Sequence, residues 1–308
     1  MSELAAPKQV KRPIAGNTAT GFLKLLALVF MCCDHVGATL LPKVIELRIL
    51  GRIAFPLYCW CLVAGYHYTR SVPKYFLRML IVGVVSQPIY ALAMHHGWLD
   101  LNIFFELSIA ILGLWCMRCK VWLFHLIGPA IMLVLGQVLC GGFSYGWKGI
   151  LLIYLLYAVQ DSRRGIAAVM IAFCLFWGSS SGVLTKAFGV TLSNLTLNEP
   201  WKTLLTPWFR LQPMAILSLP LMLMRFPESI RLPGWLADVL FSVRLTRVRF
   251  LRFFRCPEWL VNALYPMPVN RILHPRRFTL PKWLGYSLYP LHLAVLLIIQ
   301  LLMGTVRL

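Results

Sequence analysis

Asp34 and His35 lie side by side in an apolar stretch, LKLLALVFMCCDHVG, running from Leu23 to Gly37. An acidic or cationic residue at the centre of a bilayer helix costs about 2.5–3.5 kcal/mol on insertion scales, so such residues line a cavity or a site. An imidazole is the side chain suited to taking and returning a proton near neutral pH. Lys24 precedes His35 by eleven residues. At ~100° and 1.5 Å per residue this puts both on one helix face, roughly 16 Å apart along the axis. Neighbouring residues diverge by about 100°, so Asp34 need not touch His35. It is free to pair with Arg48 or Arg52, which are four residues apart and share a face. Further along stand Asn102, Tyr145 and, in LGYSLYPLHLAVLLI, His292. Imidazoles, a guanidinium, a carboxylate and smaller polar groups at comparable depth suit proton-coupled chemistry in one pocket.

The elements that must position these groups read as membrane helices. The chain has 308 residues, 59% hydrophobic and 13% charged, about half the charge of a soluble domain. The fold class is therefore all-α, a polytopic membrane protein of about nine transmembrane helices. The spans fall near 21–41, 48–67, 76–95, 101–117, 121–140, 147–160, 165–188, 203–224 and 283–303. Span eight, at 203–224, is interrupted by Pro207, Pro213 and Pro220. In span two Pro56 lacks the N–H that would bond the carbonyl of Arg52, which predicts a kink there, and Gly51 permits close helix approach.

Arg70, Lys74, Arg78, Arg118, Lys120, Arg163 and Arg164 fall in alternate connections. The positive-inside rule then places the N-terminus in the cytoplasm and the His35 pocket in the opposite half of the bilayer. The organisation is a basic tail at 1–20, a membrane domain at 21–224, a basic cytoplasmic or interfacial segment at 225–282, and a final span at 283–308. The tail has no cleavable signal sequence.

Thirty Lys and Arg stand against ten Asp and Glu. With no recognition motif beside it, this charge reads as cytoplasmic loops and contact with anionic lipids, not nucleic acid. In 225–282, Arg244, Arg247, Arg252 and Arg255 share one arc of a helical wheel, with Phe250, Phe253 and Phe254 interleaved. That pattern suits a basic interfacial helix, or a surface that docks phosphate groups. Most of the nine cysteines sit in apolar runs as small hydrophobes. Cys116-x-x-Cys119 lacks two further ligands for zinc, and no metal is expected. His95-His96 reads as a cap on a turn.

The blocks LKLLALVFMCCDHVG, ILGRIAFPLY, LNIFFEL, SYGWKGILLIYLLY and YSLYPLHLAVLL occur in this order. Together they resemble the TraX family, integral membrane acetylases of F-type conjugative pilin, over about residues 21–177 and 282–300. The Lys24-x10-His35 spacing is also similar to a motif of broader transmembrane acyltransferases. The resemblance implies an acetyltransferase of the bacterial inner membrane, acetyl-CoA as donor, and the N-terminal amine of pilin as acceptor. Pilus assembly proteins and membrane lipids are the implied partners. On that reading His35 is the base. Asp34 or Arg52 orients it or stabilises the thioester oxyanion. Asn102, Tyr145 and His292 contact the substrate, and Lys24 meets a phosphate of CoA.

Two other classes fit the residues. One is a non-enzymatic scaffold for pilus or secretion-channel assembly, which would tolerate His35→Ala. The other is a transporter with Asp34, His35 and Arg52 as a proton relay. An inverted repeat would favour the transporter, and the Asp-His and Gly-Arg-x-Ala-Phe-Pro signatures occur once each. A transmembrane acyltransferase acting on a glycan is a further alternative.

Overall fold

A computed structural model describes residues 13–119, 121–140, 145–178, 181–184, 186–191, 208–224 and 282–304. The segment 225–281, with its arginine and phenylalanine arc, lies outside the described residues, as do residues 1–12, Lys120 and Ser144. The described residues all belong to one unit.

The helices are α1 Thr20–Thr39, α2 Ile45–Gly51, α3 Ala54–Tyr68, α4 Val72–Ala93, α5 Ile103–Cys116, α6 Trp122–Cys140, α7 Gly146–Ala158 and α8 Arg163–Gly178. A short antiparallel hairpin follows, with β1 Lys186–Ala187 paired to β2 Val190–Thr191. Next come a 3-10 helix, Gln212–Ser218, its continuation α9 Leu219–Leu223, and α10 Lys282–Leu302. Among the described residues four helices are long and apolar enough to cross a membrane: Thr20–Thr39, Ile45–Tyr68 (α2 with α3), Val72–Ala93 and Trp122–Cys140. The protein is thus a membrane protein that, among the described residues, is helical in its regular structure apart from the two paired two-residue strands.

The central element is α3. Its sequence is apolar on every side, and a helix of that kind belongs inside a bundle. Trp60, Leu57, Leu62 and Tyr66 are fully buried. Buried Trp and Tyr need partners for their polar tips. Trp60 Nε1 donates to the carbonyl of Asn17 at 2.8 Å, and Tyr66 Oη donates to the carbonyl of Leu114 at 2.9 Å. Around α3 pack α1, α5, α7 and the 3-10 helix, while α10 lies against α1 and α4. Gln300 near the far end of α10 donates to the carbonyl of Ala93 at 3.0 Å.

Three expectations change. The kink in span two is a break between two helices. Gly51 ends α2, Arg52 and Ile53 make a turn, and Pro56 falls in the first turn of α3, where a missing N–H removes no helical bond. The apolar pattern predicts span seven over 165–188, but α8 ends at Gly178, and the chain turns through Phe188 and Gly189 at positive φ. Glu46 in α2 accepts the Phe188 N–H at 2.9 Å and holds this turn. Span eight is short where described. The apolar helix covers Gln212–Leu223. Seven 3-10 and five α residues reach about 21 Å, below the ~30 Å of a hydrocarbon core.

Candidate functional site

A cavity of about 800 Å³ opens among the helix ends. Its walls come from the ends of α1 (Asp34, His35, Thr39), α4 (Tyr90, Met94) and α6 (Gln137), and the starts of α2, α5 and α7 (Arg48, Ile103, Lys148). His95 and His96 after α4, Trp177 at the end of α8 and Gln212 complete the rim. Because successive helices alternate in direction, these ends share one face of the bundle, opposite the N-terminus of α1. Arg52, Phe55, Tyr58 and Tyr289 line it as well.

Its charged corner is built around Asp34. The Arg52 guanidinium donates to Asp34 Oδ1. Arg48 Nη1 lies 3.0 Å from Asp34 Oδ2 and also donates to the Asp34 carbonyl at 3.1 Å. Arg52 is 7% exposed, and its Nε donates to the Arg48 carbonyl at 3.3 Å. The carboxylate so fastens α1 to α2 and to the turn that separates α2 from α3. Gly51 is required there, since a Cβ would run into the Asp34 carboxylate. With Lys148 also on the wall, three permanent cations face one acid among the lining residues.

Beside this corner is an imidazole pair. His35 Nδ1 and His292 Nε2 are 3.0 Å apart, and the rings stack with centroids 5.2 Å apart. His292 Nδ1 lies 3.3 Å from the Leu288 carbonyl. A carbonyl oxygen only accepts, so His292 Nδ1 carries the hydrogen, and with both rings neutral its Nε2 accepts. His35 Nδ1 must then donate, which leaves His35 Nε2 as the lone-pair nitrogen. His35 also borders an apolar groove between α1 and α10, of about 280 Å³, that runs past Cys32, His292 and Val295.

The aromatic wall is equally defined. Tyr145 stacks on Phe55, with centroids 3.7 Å apart, and meets Trp177 edge-on at 5.1 Å. At the rim, partial burial holds the His96 imidazole below its usual pKa; Asp100 pulls it up and His95 pushes it down. Among the described residues no group of three or more His, Cys, Asp or Glu could hold a metal.

Asp34, His35, Arg52 and Tyr145 come together on this cavity, and His292 stands behind His35. Asn102 does not line it. Asn102 is fully buried, accepts the Phe104 N–H at 3.0 Å as the N-cap of α5, and donates to the Gly83 carbonyl at 2.8 Å. Lys24 stands elsewhere on α1, its Nζ 5.8 Å from the Tyr286 ring centroid on α10. Tyr58, Tyr90, His96, Lys148 and Trp177 enter the site unforeseen. Lys148 carried a usable signal, a cation within an apolar helix. The aromatic residues carried none in so apolar a chain.

The family described as TraX protein matches residues 19–246, most of this chain, and the chain belongs to that family. An uncharacterized protein of Rickettsia prowazekii (strain Madrid E) is 30% identical over 177 residues, covering 56% of this chain and 67% of the relative. The probable fimbrial assembly protein FimC, serogroup H1, of Dichelobacter nodosus is 32% identical over 106 residues, 30% of this chain and 43% of its own. Protein TraX of Escherichia coli is 29% identical over 183 residues, 57% and 72% respectively. No solved structure matches the chain.

Proposed function

We propose that this protein is an inner-membrane acetyltransferase that moves an acetyl group from acetyl-CoA to the N-terminal amine of a pilus subunit. The observation that carries this reading is the hydrogen-bond chain Leu288 carbonyl–His292–His35, which leaves the lone pair on Nε2 of His35, a residue that lines the cavity. Family membership supports a pilus-related role, and one relative bears a fimbrial assembly name.

The chemistry follows from the residues. An attacking amine must be neutral. Arg48, Arg52 and Lys148 around one carboxylate make the cavity cationic, which disfavours a bound ammonium and lowers its pKa. The amine nitrogen bonds to the thioester carbonyl carbon, the C–S bond breaks, and the sulfur leaves with its electron pair. His35 Nε2 takes the amine proton and returns one to the departing thiolate, while His292 accepts from His35 Nδ1 throughout and steadies the imidazolium. Such a base contributes about 10²–10⁴-fold. Arg48 is the cation better placed for a developing oxyanion, because 28% of its side chain is exposed against 7% for Arg52. Lys24, at the opposite end of α1, remains the candidate for a donor phosphate.

On this reading the face bearing Arg70, Arg118 and Arg163 is cytoplasmic, the chain crosses the membrane about nine times, and the cavity opens to the periplasm. The test is the intact mass of the pilus subunit from cells with wild-type protein, His35→Ala or none, at matched membrane levels. One acetyl group only with wild type supports the proposal. Equal masses in all three sink the pilus-subunit acceptor. The aromatic lining, Tyr90, Tyr145, Trp147, Trp177 and Tyr289, favours a glycan acceptor as the second reading, since sugar faces stack on such rings. Acetyl on a surface glycan of the same cells would select it.

A further inference from the structure

Glu106 is a carboxylate with no exposure at all, in the first turn of α5. It does not line the cavity. Its Oε2 reaches across to the start of α7 and accepts two backbone N–H groups, Tyr145 at 3.1 Å and Gly146 at 3.2 Å. These are among the N–H groups that a helix start leaves without internal partners, and a carboxylate there also meets the positive end of the helix dipole. The fit is tight. A Cβ at Gly149 would overlap Glu106 Oε1 and come within 2.7 Å of Phe55 and 2.9 Å of Tyr145.

The same first turn of α7 supplies Tyr145, Trp147 and Lys148 to the cavity. Tyr145 lies between Phe55 and Trp177, and Lys148 Nζ lies 5.9 Å from the Phe176 ring centroid. A shift of about 1 Å in a positioned group can cost on the order of 100-fold in rate.

We propose that Glu106 is a positioning residue for the cavity: from behind the wall it fixes the start of α7 and so where Tyr145 and Lys148 stand. Gln keeps an acceptor oxygen at this position and Ala does not. Glu106→Gln and Glu106→Ala are therefore the informative pair, and the kinetic half of their comparison rests on the acetyltransfer reading.

The experiment uses the full chain in detergent. Amide hydrogen exchange is read at Tyr145 and Gly146, and acetylation kinetics are read in parallel. Glu106→Ala should lose protection at these two amides while α1–α4 keep theirs, and Glu106→Gln should retain it. Gly149→Ala, which crowds the carboxylate away, should copy Glu106→Ala. The kcat of Glu106→Ala should fall by about 100-fold, and adding Lys148→Ala should cost little more, since both act through one group. Unchanged exchange in Glu106→Ala overturns the inference, and so does a loss of protection spread evenly over all helices. If the wild type acetylates nothing, the acetyltransfer reading falls and the exchange data still decide the role of Glu106.

Discussion

His35 and His292 are 257 residues apart in sequence and 3.0 Å apart in space, joined Nδ1 to Nε2. One comes from α1 and the other from α10, so their contact joins two helices distant in sequence. If the protein acts by the proposed acetyltransfer, His35→Ala should insert normally and lose acetylation by at least about 100-fold. His292→Phe should keep most of the helix packing but release the ring of His35, with a smaller loss. Initial rates at matched membrane levels test this order. A His292→Phe loss equal to that of His35→Ala would refute the assignment of base and helper.

Asp34 holds two guanidinium groups of unequal burial. Removing it strands the buried Arg52, at a cost of about 3–5 kcal/mol. Arg48, with 28% of its side chain exposed, should cost about 1 kcal/mol or less on change to Ala. Thermal unfolding in detergent should rank Asp34→Ala far below Arg48→Ala. Equal midpoints would mean that the ion pairs do not fasten the α2–α3 break.

His96 gives a pH prediction with a definite sign. Its folded pKa lies below the usual imidazole value because burial disfavours the cation. The unfolded chain therefore binds more protons once pH drops below about 6.5. The stability tied to neutral His96 is present above that pH and is lost as pH falls toward the folded value. The unfolding midpoint should fall between pH 7.5 and pH 5.5, and His96→Gln should flatten the fall. An identical slope in the variant would rule His96 out as the cause.

The orientation can be read by labelling. Leu99, in the turn between α4 and α5, is 89% exposed on the cavity side. Leu99→Cys, in a background freed of reactive cysteines, should react with a membrane-impermeant maleimide in intact cells. Ser71→Cys, at the start of α4 on the other face, should react only after lysis. The reverse pattern would invert the proposed topology.

Much of the site was legible because ionisable side chains are scarce in these helices and each needs a partner. Asp34 beside a segment carrying Arg48 and Arg52 could only sensibly turn toward them, and it does. Asn102 misled for a local reason: an Asn just before an apolar helix is first of all an N-cap. Lys24 and His35 do share a face of α1, and α10 covers it, with Tyr286 near one and His292 at the other. Apolar content alone overextended span seven, because Ser and Gly after Gly178 end a helix whatever the hydropathy around them. It also overstated span eight, where Pro213 and Pro220 favour short turns of two helix types. Glu106 and Lys148 obey the rule that singled out Asp34, and applying it evenly would have found both.

The dependence of His35 on His292 has a consequence for biogenesis. Ribosomes make α1 long before α10, so a nascent chain carries the imidazole of His35 for most of its synthesis without the neighbour that sets its tautomer. On the proposed acetyltransfer, competence arrives late and all at once, when α10 docks against α1 and α4. Chains stopped before Lys282 should accumulate in the membrane as inert intermediates.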